Sequence, residues 1–145
     1  MKRILYIIIG VALLFASCDK EESSNGHLDG FWQMTEMMPF KATTGSDDMR
    51  TSGITWAFQG HILELRDVNK VHQDIVMSFT REGNILKLYA PYRVDRDSDD
   101  VLLKDADLLI PYGIFNTTET FRIVELSNSR MVLENAEMSM EFRKY

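Results

Sequence analysis

Apolar and polar residues alternate along much of the chain after residue 28. The alternation from Phe31 to Met38 predicts a strand with Trp32, Met34, Glu36 and Met38 on one face. Residues 117–126 alternate in the same way and predict a second strand near the C-terminal end. This period of two is the pattern of a sheet with one buried face.

Three hairpins follow from the same pattern, with turns at Gln59-Gly60, Glu82-Gly83 and Ala136-Glu137. Residues directly opposite each other on antiparallel strands share a face, and each predicted turn gives a largely apolar face. The predicted pairs are Phe58–His61, Trp56–Leu63, Ile54–Leu65, Phe79–Leu86, Met77–Leu88, Ile75–Ala90, Leu133–Met140 and Met131–Phe142, with Leu126–Met131 and Val124–Leu133 across a loop at 127–130. The registers support one another, since a one-residue slip would move each apolar set to the opposite face.

These elements predict an all-β fold, an antiparallel up-and-down meander of about eight strands that closes into a small barrel. An open two-sheet sandwich is the alternative. The polar residues 41–53 are predicted to form a long loop, a length that is often functional. Residues 95–100 form an acidic loop, Val101 to Leu109 fits a short helix or an edge strand, and 112–115 is predicted to be extended.

The N-terminal residues have the layout of a secretory signal: Lys2-Arg3, an apolar run from Ile4 to Ala16, then Ser17-Cys18. The run is shorter than the roughly 20 residues of a membrane span. Phe15-Ala16-Ser17-Cys18 resembles the lipobox of bacterial lipoproteins, although that motif usually has Leu where Phe15 stands. The resemblance implies a signal peptide at 1–17, lipid on Cys18, a flexible tether at 18–27 and a folded domain at 28–145. Cys18 would then hold the protein on a membrane.

The expected location is the cell envelope, on the outer membrane. Asp19-Lys20-Glu21-Glu22 resembles the lysine-plus-acidic signal that sends some Gram-negative lipoproteins to the outer face of that membrane. The alternative is that these charges belong to a solvated tether.

The charge limits the possible classes of partner, and the cysteine content limits the ways in which the fold can be stabilised. Loss of Lys2 and Arg3 with the signal leaves 14 basic residues against 22 acidic ones, a formal charge of −8, which argues against nucleic acid as a partner. Cys18 is the only cysteine, so no disulfide joins parts of the fold. Stability must therefore come from a packed core.

The segment Leu28-Asp29-Gly30-Phe31-Trp32 resembles the Gly-x-Trp motif of lipocalins, with Gly30 and Trp32 on the motif positions. The ending from Arg130 to Lys144 looks like that of lipocalin-like lipoproteins of Gram-negative envelopes. The resemblance implies that Trp32 packs at the closed end of a barrel beneath a basic side chain, for which Arg143 is the candidate. It also implies that the loop 41–53 partly covers the open end. The chain lacks the disulfide and the clear C-terminal helix of that family.

The predicted inward face is rich in aromatic residues and methionines, which suit irregular apolar ligands but equally a filled core. The candidate cavity-lining residues are Trp32, Met34, Glu36, Trp56, Phe58, Met77, Phe79, Met140 and Phe142. Glu36 would be a polar anchor in the pocket or a residue near its mouth. If Trp56 lines a cavity, Trp56→Ala should weaken binding while the domain stays folded.

Candidate metal and catalytic residues are few. Asp95, Asp97 and Asp99 have the one-three-five spacing of a calcium loop, but Asp100 stands in place of the turn glycine and Ala106 in place of the closing Glu. The three histidines lack zinc-ligand spacing, and no nucleophile with a base, nor any facing pair of carboxylates, can be placed on one face. We therefore expect no metal, no cofactor and no enzymatic activity.

Two hypotheses of function remain. The first is a lipid-anchored barrel that binds a small apolar or amphipathic molecule. The second is an accessory module with a filled barrel that contacts an envelope protein, with the acidic loop 95–100 as the first contact to test.

Overall fold

The computed structural model of the chain describes residues 23–41 and 45–145, which form ten strands. The strands are β1 (Gly30–Pro39), β2 (Asp47–Asp48), β3 (Ile54–Gln59), β4 (Ile62–Asp67), β5 (Ile75–Glu82), β6 (Ile85–Arg93), β7 (Val101–Leu102), β8 (Glu119–Leu126), β9 (Arg130–Glu134) and β10 (Met138–Lys144). Two short 3-10 helices occupy Gly26–Leu28 and Ile110–Tyr112. No helix in this part of the chain is long and apolar enough to cross a membrane. The predicted signal and Cys18 lie outside the described residues.

The sheet closes on itself because β1 pairs with β3 on one side and with β10 on the other. The order around the barrel is β1, β3, β4, β5, β6, β8, β9, β10, every neighbouring pair antiparallel. The short strands β2 and β7 add to β1 and β6. The prediction of an all-β up-and-down barrel of about eight strands is confirmed, and the sandwich is excluded.

The first two hairpins have the predicted faces but a different register. Their turns lie at Gly60-His61 and Gly83-Asn84, one residue later than predicted, so Phe58 pairs with Leu63 and Phe79 with Leu88. Each glycine takes the first central position of its turn with φ near +60°, where a two-residue hairpin turn needs a positive φ. Near the turns the partner moves by two residues, so the inward face there is unchanged. The predicted pair Ile75–Ala90 is wrong, because a bulge adds one residue to β6 around Ala90, which has φ +51°, and Ile75 pairs with Arg93.

The C-terminal hairpins match the prediction except at one residue. Leu133 pairs with Met140, Met131 with Phe142 and Leu126 with Met131, as predicted. The predicted pair Val124–Leu133 is wrong, because a bulge lies between Ile123 and Glu125, and Ile123 takes the position opposite Leu133. Val124 is 46% exposed as a result.

A second bulge, between Met34 and Glu36, changes the face of β1. Trp32 and Met34 point into the barrel, but beyond the bulge it is Met37 that packs against the core. Glu36 therefore lies on the outer face and Met38 is 45% exposed, contrary to the alternation read from the sequence. A bulge adds one residue to a strand and so reverses the faces that follow it.

The two ends of the barrel differ. We call one end the base: residues 23–29 and the turns at 60–61, 83–84 and 127–129. The other end, the mouth, consists of the connections 40–53 (as far as described), 68–74, 94–118 and 135–137. The segment 103–115 closes the mouth, since Leu109, Tyr112 and Ile114 are fully buried and belong to the same core cluster as the barrel side chains.

The residues that close the mouth differ from the prediction. The loop 41–53 contributes Met49 to the edge of the core, but Asp47 and Asp48 pair with the outer edge of β1. Val101–Leu102 is an edge strand. The prediction that 112–115 is extended is wrong at its start, because Tyr112 ends a 3-10 helix and Gly113 has φ +79°. The sequence gives no period of two in this segment because its buried residues are spaced irregularly.

Candidate functional site

The barrel interior contains eight of the nine candidate cavity residues. Each is at most 2% exposed; they are Trp32, Met34, Trp56, Phe58, Met77, Phe79, Met140 and Phe142. The Trp56 ring lies 6.1 Å from Phe58, 5.7 Å from Phe121 and 5.1 Å from Phe142, between ring centroids. Their dense packing makes the centre of the barrel a core, and their role as ligand contacts stays a prediction.

Trp56 has one unsatisfied polar atom. Its Nε1 is buried without a hydrogen-bond partner among the described residues. The Nε1 of Trp32 instead donates to the Leu28 carbonyl oxygen at 2.7 Å. A buried unpaired donor costs about 1–3 kcal/mol, so the centre of the barrel carries a local penalty.

The basic side chain over Trp32 is Lys144, not Arg143 as the resemblance implied. The Lys144 Nζ lies 5.0 Å from the Trp32 ring centroid and donates to the His27 carbonyl oxygen at 2.9 Å. Trp32 and Lys144 are directly opposite on β1 and β10, so they share a face. Arg143 lies on the other face, where its Nε donates to Gln33 Oε1 at 2.7 Å.

A cleft of about 530 Å³ lies at the mouth, outside the barrel interior. The connection after β4 and the end of β6 form its walls. Its lining residues are Lys70, His72, Gln73, Asp74, Arg93, Val94, Asp95 and Arg96. None of these was among the candidate residues from the sequence except Asp95, which was considered only for calcium.

Asp67 shapes the connection that forms one wall of this cleft. The side chain is fully buried, and it accepts hydrogen bonds from the backbone N–H groups of Asn69 (2.8 Å), Val71 (3.0 Å) and His72 (3.0 Å). The turn also holds Lys70 at φ +59°, a conformation that is unfavourable for a side chain with a Cβ. Asp67 therefore compensates for a strained turn.

We expect Asp67→Ala to destabilise the domain by about 2–3 kcal/mol, because three N–H groups lose their acceptor and water can reach only some of them. Asp67→Asn keeps one acceptor oxygen in the same place and should cost about half as much. Urea unfolding of the unlipidated chain measures both. Equal losses for the two variants would contradict the role of the carboxylate as a shared acceptor.

Tyr112 joins the segment that closes the mouth to the cleft. Its hydroxyl donates to the Gln73 carbonyl oxygen at 2.6 Å, and its ring lies 6.4 Å from that of His72. Burial, together with the nearby carboxylates of Asp74 and Asp67, raises the pKa of Tyr112 above its usual value. The phenol stays neutral and keeps donating at physiological pH.

The charges of the cleft are only partly paired. Lys70 Nζ lies 3.2 Å from Asp74 Oδ2, whereas Asp74 Oδ1 is buried without a partner among the described residues. No carboxylate oxygen of the described residues lies within 4.0 Å of Arg93 or Arg96. A backbone hydrogen bond from Asp97, with help from Ser98 and the charge of Arg93, lowers the pKa of Asp95. The cleft thus presents two arginines whose donors are open to a ligand.

Glu36 lines a second cleft, of about 390 Å³, on the outer face of β1, together with Thr35, Ser46, Asp48 and Arg50. The Arg50 guanidinium donates to both oxygens of Asp48, at 2.9 and 2.6 Å. These bonds hold the pKa of Asp48 at about 2. Arg50 is the only cation among the described residues of this cleft, and because it is paired with Asp48 the cleft is a poor site for an anion.

The calcium spacing does not produce a metal site. In the part of the chain that the structure describes, no three His, Cys, Asp or Glu side chains come together as ligands. The acidic loop instead closes on itself, with the Asp95 N–H donating to Asp100 and the Asp97 N–H donating to Asp95, each at 3.0 Å. The three histidines are exposed.

A family model described as a lipocalin-like domain matches residues 13–145. The chain belongs to the lipocalin-like domain family. A crystal structure of a lipocalin-like protein from Bacteroides uniformis superposes with a TM-score of 0.62 at 20% identity, covering 83% of this chain and 100% of that one. An uncharacterized protein from Bacteroides eggerthii superposes with a TM-score of 0.53 at 16% identity, covering 81% of this chain and 99% of that one.

At these identities the likeness to the two structures shows the fold alone. No curated protein matches the chain. The function of this lipocalin-like domain therefore has to be argued from its own residues.

Proposed function

We propose that this lipocalin-like protein is a lipid-anchored, non-enzymatic binding protein of the cell envelope that takes a small amphipathic anion at its mouth cleft. The location differs from the interior pocket expected from the sequence. Side chains pack the centre of the barrel, whereas the mouth holds an open cleft of about 530 Å³, a size typical of small-molecule sites.

The observation that carries this proposal is the pair of arginines, Arg93 and Arg96, that line the cleft without a carboxylate partner among the described residues. A guanidinium presents a fork of donors that matches a carboxylate or a phosphate. Two such groups in a chain of net charge −6 favour an anionic head group. Asp74 and Asp95 in the same wall would restrict where that head group sits.

Apolar side chains beside the cleft suit the rest of an amphipathic molecule. Val71, next to His72, is 75% exposed, and Ile110, in the same 3-10 turn as Tyr112, is 47% exposed. Covering such surface gains about 25 cal/mol per Å². A chain of several methylene groups lying across this part of the mouth would add to the affinity of the head group.

The membrane attachment rests on the sequence pattern at Cys18, which lies outside the described residues. Two or more acyl chains on one cysteine would hold the protein on the outer membrane, where the lysine-plus-acidic segment favours surface exposure. Mass spectrometry of the chain purified from its host tests this part directly. An unmodified Cys18 would contradict it.

We expect the double variant Arg93→Ala/Arg96→Ala to bind dodecanoate at least tenfold more weakly than the parent chain, because each charge-assisted hydrogen bond contributes about 1.5–3 kcal/mol. Isothermal titration calorimetry measures the affinity. Lys87→Ala/Lys104→Ala removes the same charge from exposed positions outside the cleft lining and serves as the matched control. Equal binding of dodecanol and dodecanoate, or an unchanged affinity in the arginine variant, would contradict the proposal.

A second candidate function is docking of an envelope protein on the mouth. The filled interior favours it, together with the exposed Val101 (44%) and Leu102 (50%) beside the acidic loop 95–100. Native mass spectrometry of the unlipidated chain after exposure to an envelope extract separates the two candidates. An added small mass supports the cleft, while a bare chain that crosslinks to a protein through this loop supports docking.

A further inference from the structure

The base of the barrel holds the start of the described chain firmly. Asn25 is 5% exposed, and its Nδ2 donates to the Gly60 carbonyl oxygen at 2.7 Å. The Asn25 carbonyl oxygen in turn accepts from Arg81 Nη1 at 2.8 Å, and Lys144 Nζ holds the His27 carbonyl oxygen. Any tether that precedes Ser23 must therefore leave the barrel at its base.

Only a short chain separates that point from the proposed lipid. Five residues lead from Cys18 to Ser23, which span at most about 18 Å when fully extended. This reach is shorter than β1, whose ten residues rise about 33 Å along the strand from base to mouth, so the base is the end that must face the membrane. The mouth cleft then points away from it.

The outer wall of the barrel beside the base carries exposed apolar side chains, of which Phe31 and Tyr145 line a shallow cleft with Ala57. Phe31 is 60% exposed and Tyr145 is 74% exposed, side by side, with the Tyr145 N–H donating to the Phe31 carbonyl oxygen at 3.0 Å. Ile62 (46%) and Ile85 (47%) are exposed next to the two hairpin turns of the base. Aromatic residues with one polar end favour the membrane–water interface.

Two cations complete this surface. Arg81 and Lys144 bond backbone carbonyls, and no carboxylate of the described residues lies within 4.0 Å of either. Asp29 and Glu82 also lie at the base, so a net positive charge does not account for binding of the base to a lipid surface. The exposed apolar residues provide the contact, while Arg81 and Lys144 hold the start of the described chain at the base through the carbonyl oxygens of Asn25 and His27.

We propose that the base docks on the lipid surface that holds the anchor, with Phe31, Ile62, Ile85 and Tyr145 at the interface, so that the mouth cleft is presented to the surroundings. This inference rests on the lipid anchor of the proposed function, but not on its anionic ligand.

The test uses the full lipidated chain in vesicles of phosphatidylethanolamine and phosphatidylglycerol, with one nitroxide label on an introduced cysteine. Cys18 is the only native cysteine and would carry lipid, so the introduced thiol is the labelling site. Ile62→Cys and Ile85→Cys report on the base. Leu102→Cys, at a position 50% exposed, and Val71→Cys, at one 75% exposed, report on the mouth. Collision of the label with oxygen, which partitions into lipid, is compared with collision with an aqueous nickel chelate.

On reconstitution we expect the two base positions to lose access to nickel severalfold and to gain access to oxygen, while the mouth positions stay unchanged. The double variant Phe31→Ser/Tyr145→Ser should remove that protection in the Ile62→Cys chain. Val71→Ser/Leu102→Ser, tested in the same Ile62→Cys chain, should leave it intact. Both pairs are exposed, so neither should change the melting temperature.

The outcomes separate this inference from the proposed function. A chain that floats with the vesicles but shows equal access at all four positions keeps the anchor and overturns the docking. A chain that does not float contradicts the anchor, and the docking with it. Protection of the base in the unlipidated chain, free in solution, would show contact between two copies instead.

Discussion

Trp56→Ala is expected to destabilise the domain by about 3–5 kcal/mol, a large part of the 5–15 kcal/mol that typically holds such a domain folded. The indole is fully buried and contacts three phenylalanine rings, Phe58, Phe121 and Phe142. Its removal leaves a cavity that eight strands of a closed barrel cannot collapse to fill. Urea unfolding of the unlipidated chain, followed by the fluorescence of the remaining Trp32, measures the loss.

Trp56→Phe is the matched control. It keeps an aromatic ring among the three others and removes the Nε1 donor that has no partner in the described residues. The volume lost and the penalty removed are opposite in sign, so we expect a cost of about 1 kcal/mol or less. A folded Trp56→Ala chain of near-parental stability would contradict the role of Trp56 in the core and favour the first hypothesis from the sequence, in which Trp56 lines a ligand cavity.

The fold was predictable because an error of two residues in strand register leaves the same side chains on the inner face. The first two hairpins were placed with turns one residue early, yet Trp56, Phe58, Met77 and Phe79 still pointed inward, since the pairing moved by two. Gly60 and Gly83 were the signal in the sequence for the correct register. Each has a positive φ and takes the first central position of its turn.

The bulges were not predictable from alternation. At Met34–Glu36 and Ile123–Glu125 one extra residue enters a strand without any Gly or Pro to mark it. The bulge of β6 at Ala90 differs, since Pro91 follows it directly. Closure of the barrel decides these positions, because β1 must pair with both β3 and β10. Glu36 was thus assigned to the interior although it lies on the outer face.

The mouth cleft was not predicted from the sequence because its residues come from two separate connections. Ile75 pairs with Arg93, which brings the end of β6 beside the loop that Asp67 organises. The position of the end of β6 beside this loop depends on the register of the β5–β6 hairpin. The run from Arg93 to Arg96, with two arginines beside a strand end, was the available signal.

Gly113→Ala is expected to cost about 3 kcal/mol. Gly113 has φ +79°, where a residue with a Cβ loses about 1–2 kcal/mol. A Cβ there would also lie 2.2 Å from the Met140 sulfur, within the packed core, and overpacking adds about 1–3 kcal/mol. Urea unfolding measures the total, and hydrogen exchange of residues 109–114 reports whether the segment leaves the mouth.

Gly83→Ala separates the two causes, because Gly83 has φ +58° but no atom within 4 Å of the position of an added Cβ. It should cost only the backbone part, about 1–2 kcal/mol. Met140→Ala in the Gly113→Ala chain should then show a coupling energy of more than about 1 kcal/mol, since it removes the clash. Equal costs at Gly113 and Gly83 would mean that the Met140 side chain or the segment 103–115 shifts without loss. Faster hydrogen exchange of residues 109–114 in the Gly113→Ala chain would assign the shift to the segment, and the interior would again be a candidate for the ligand.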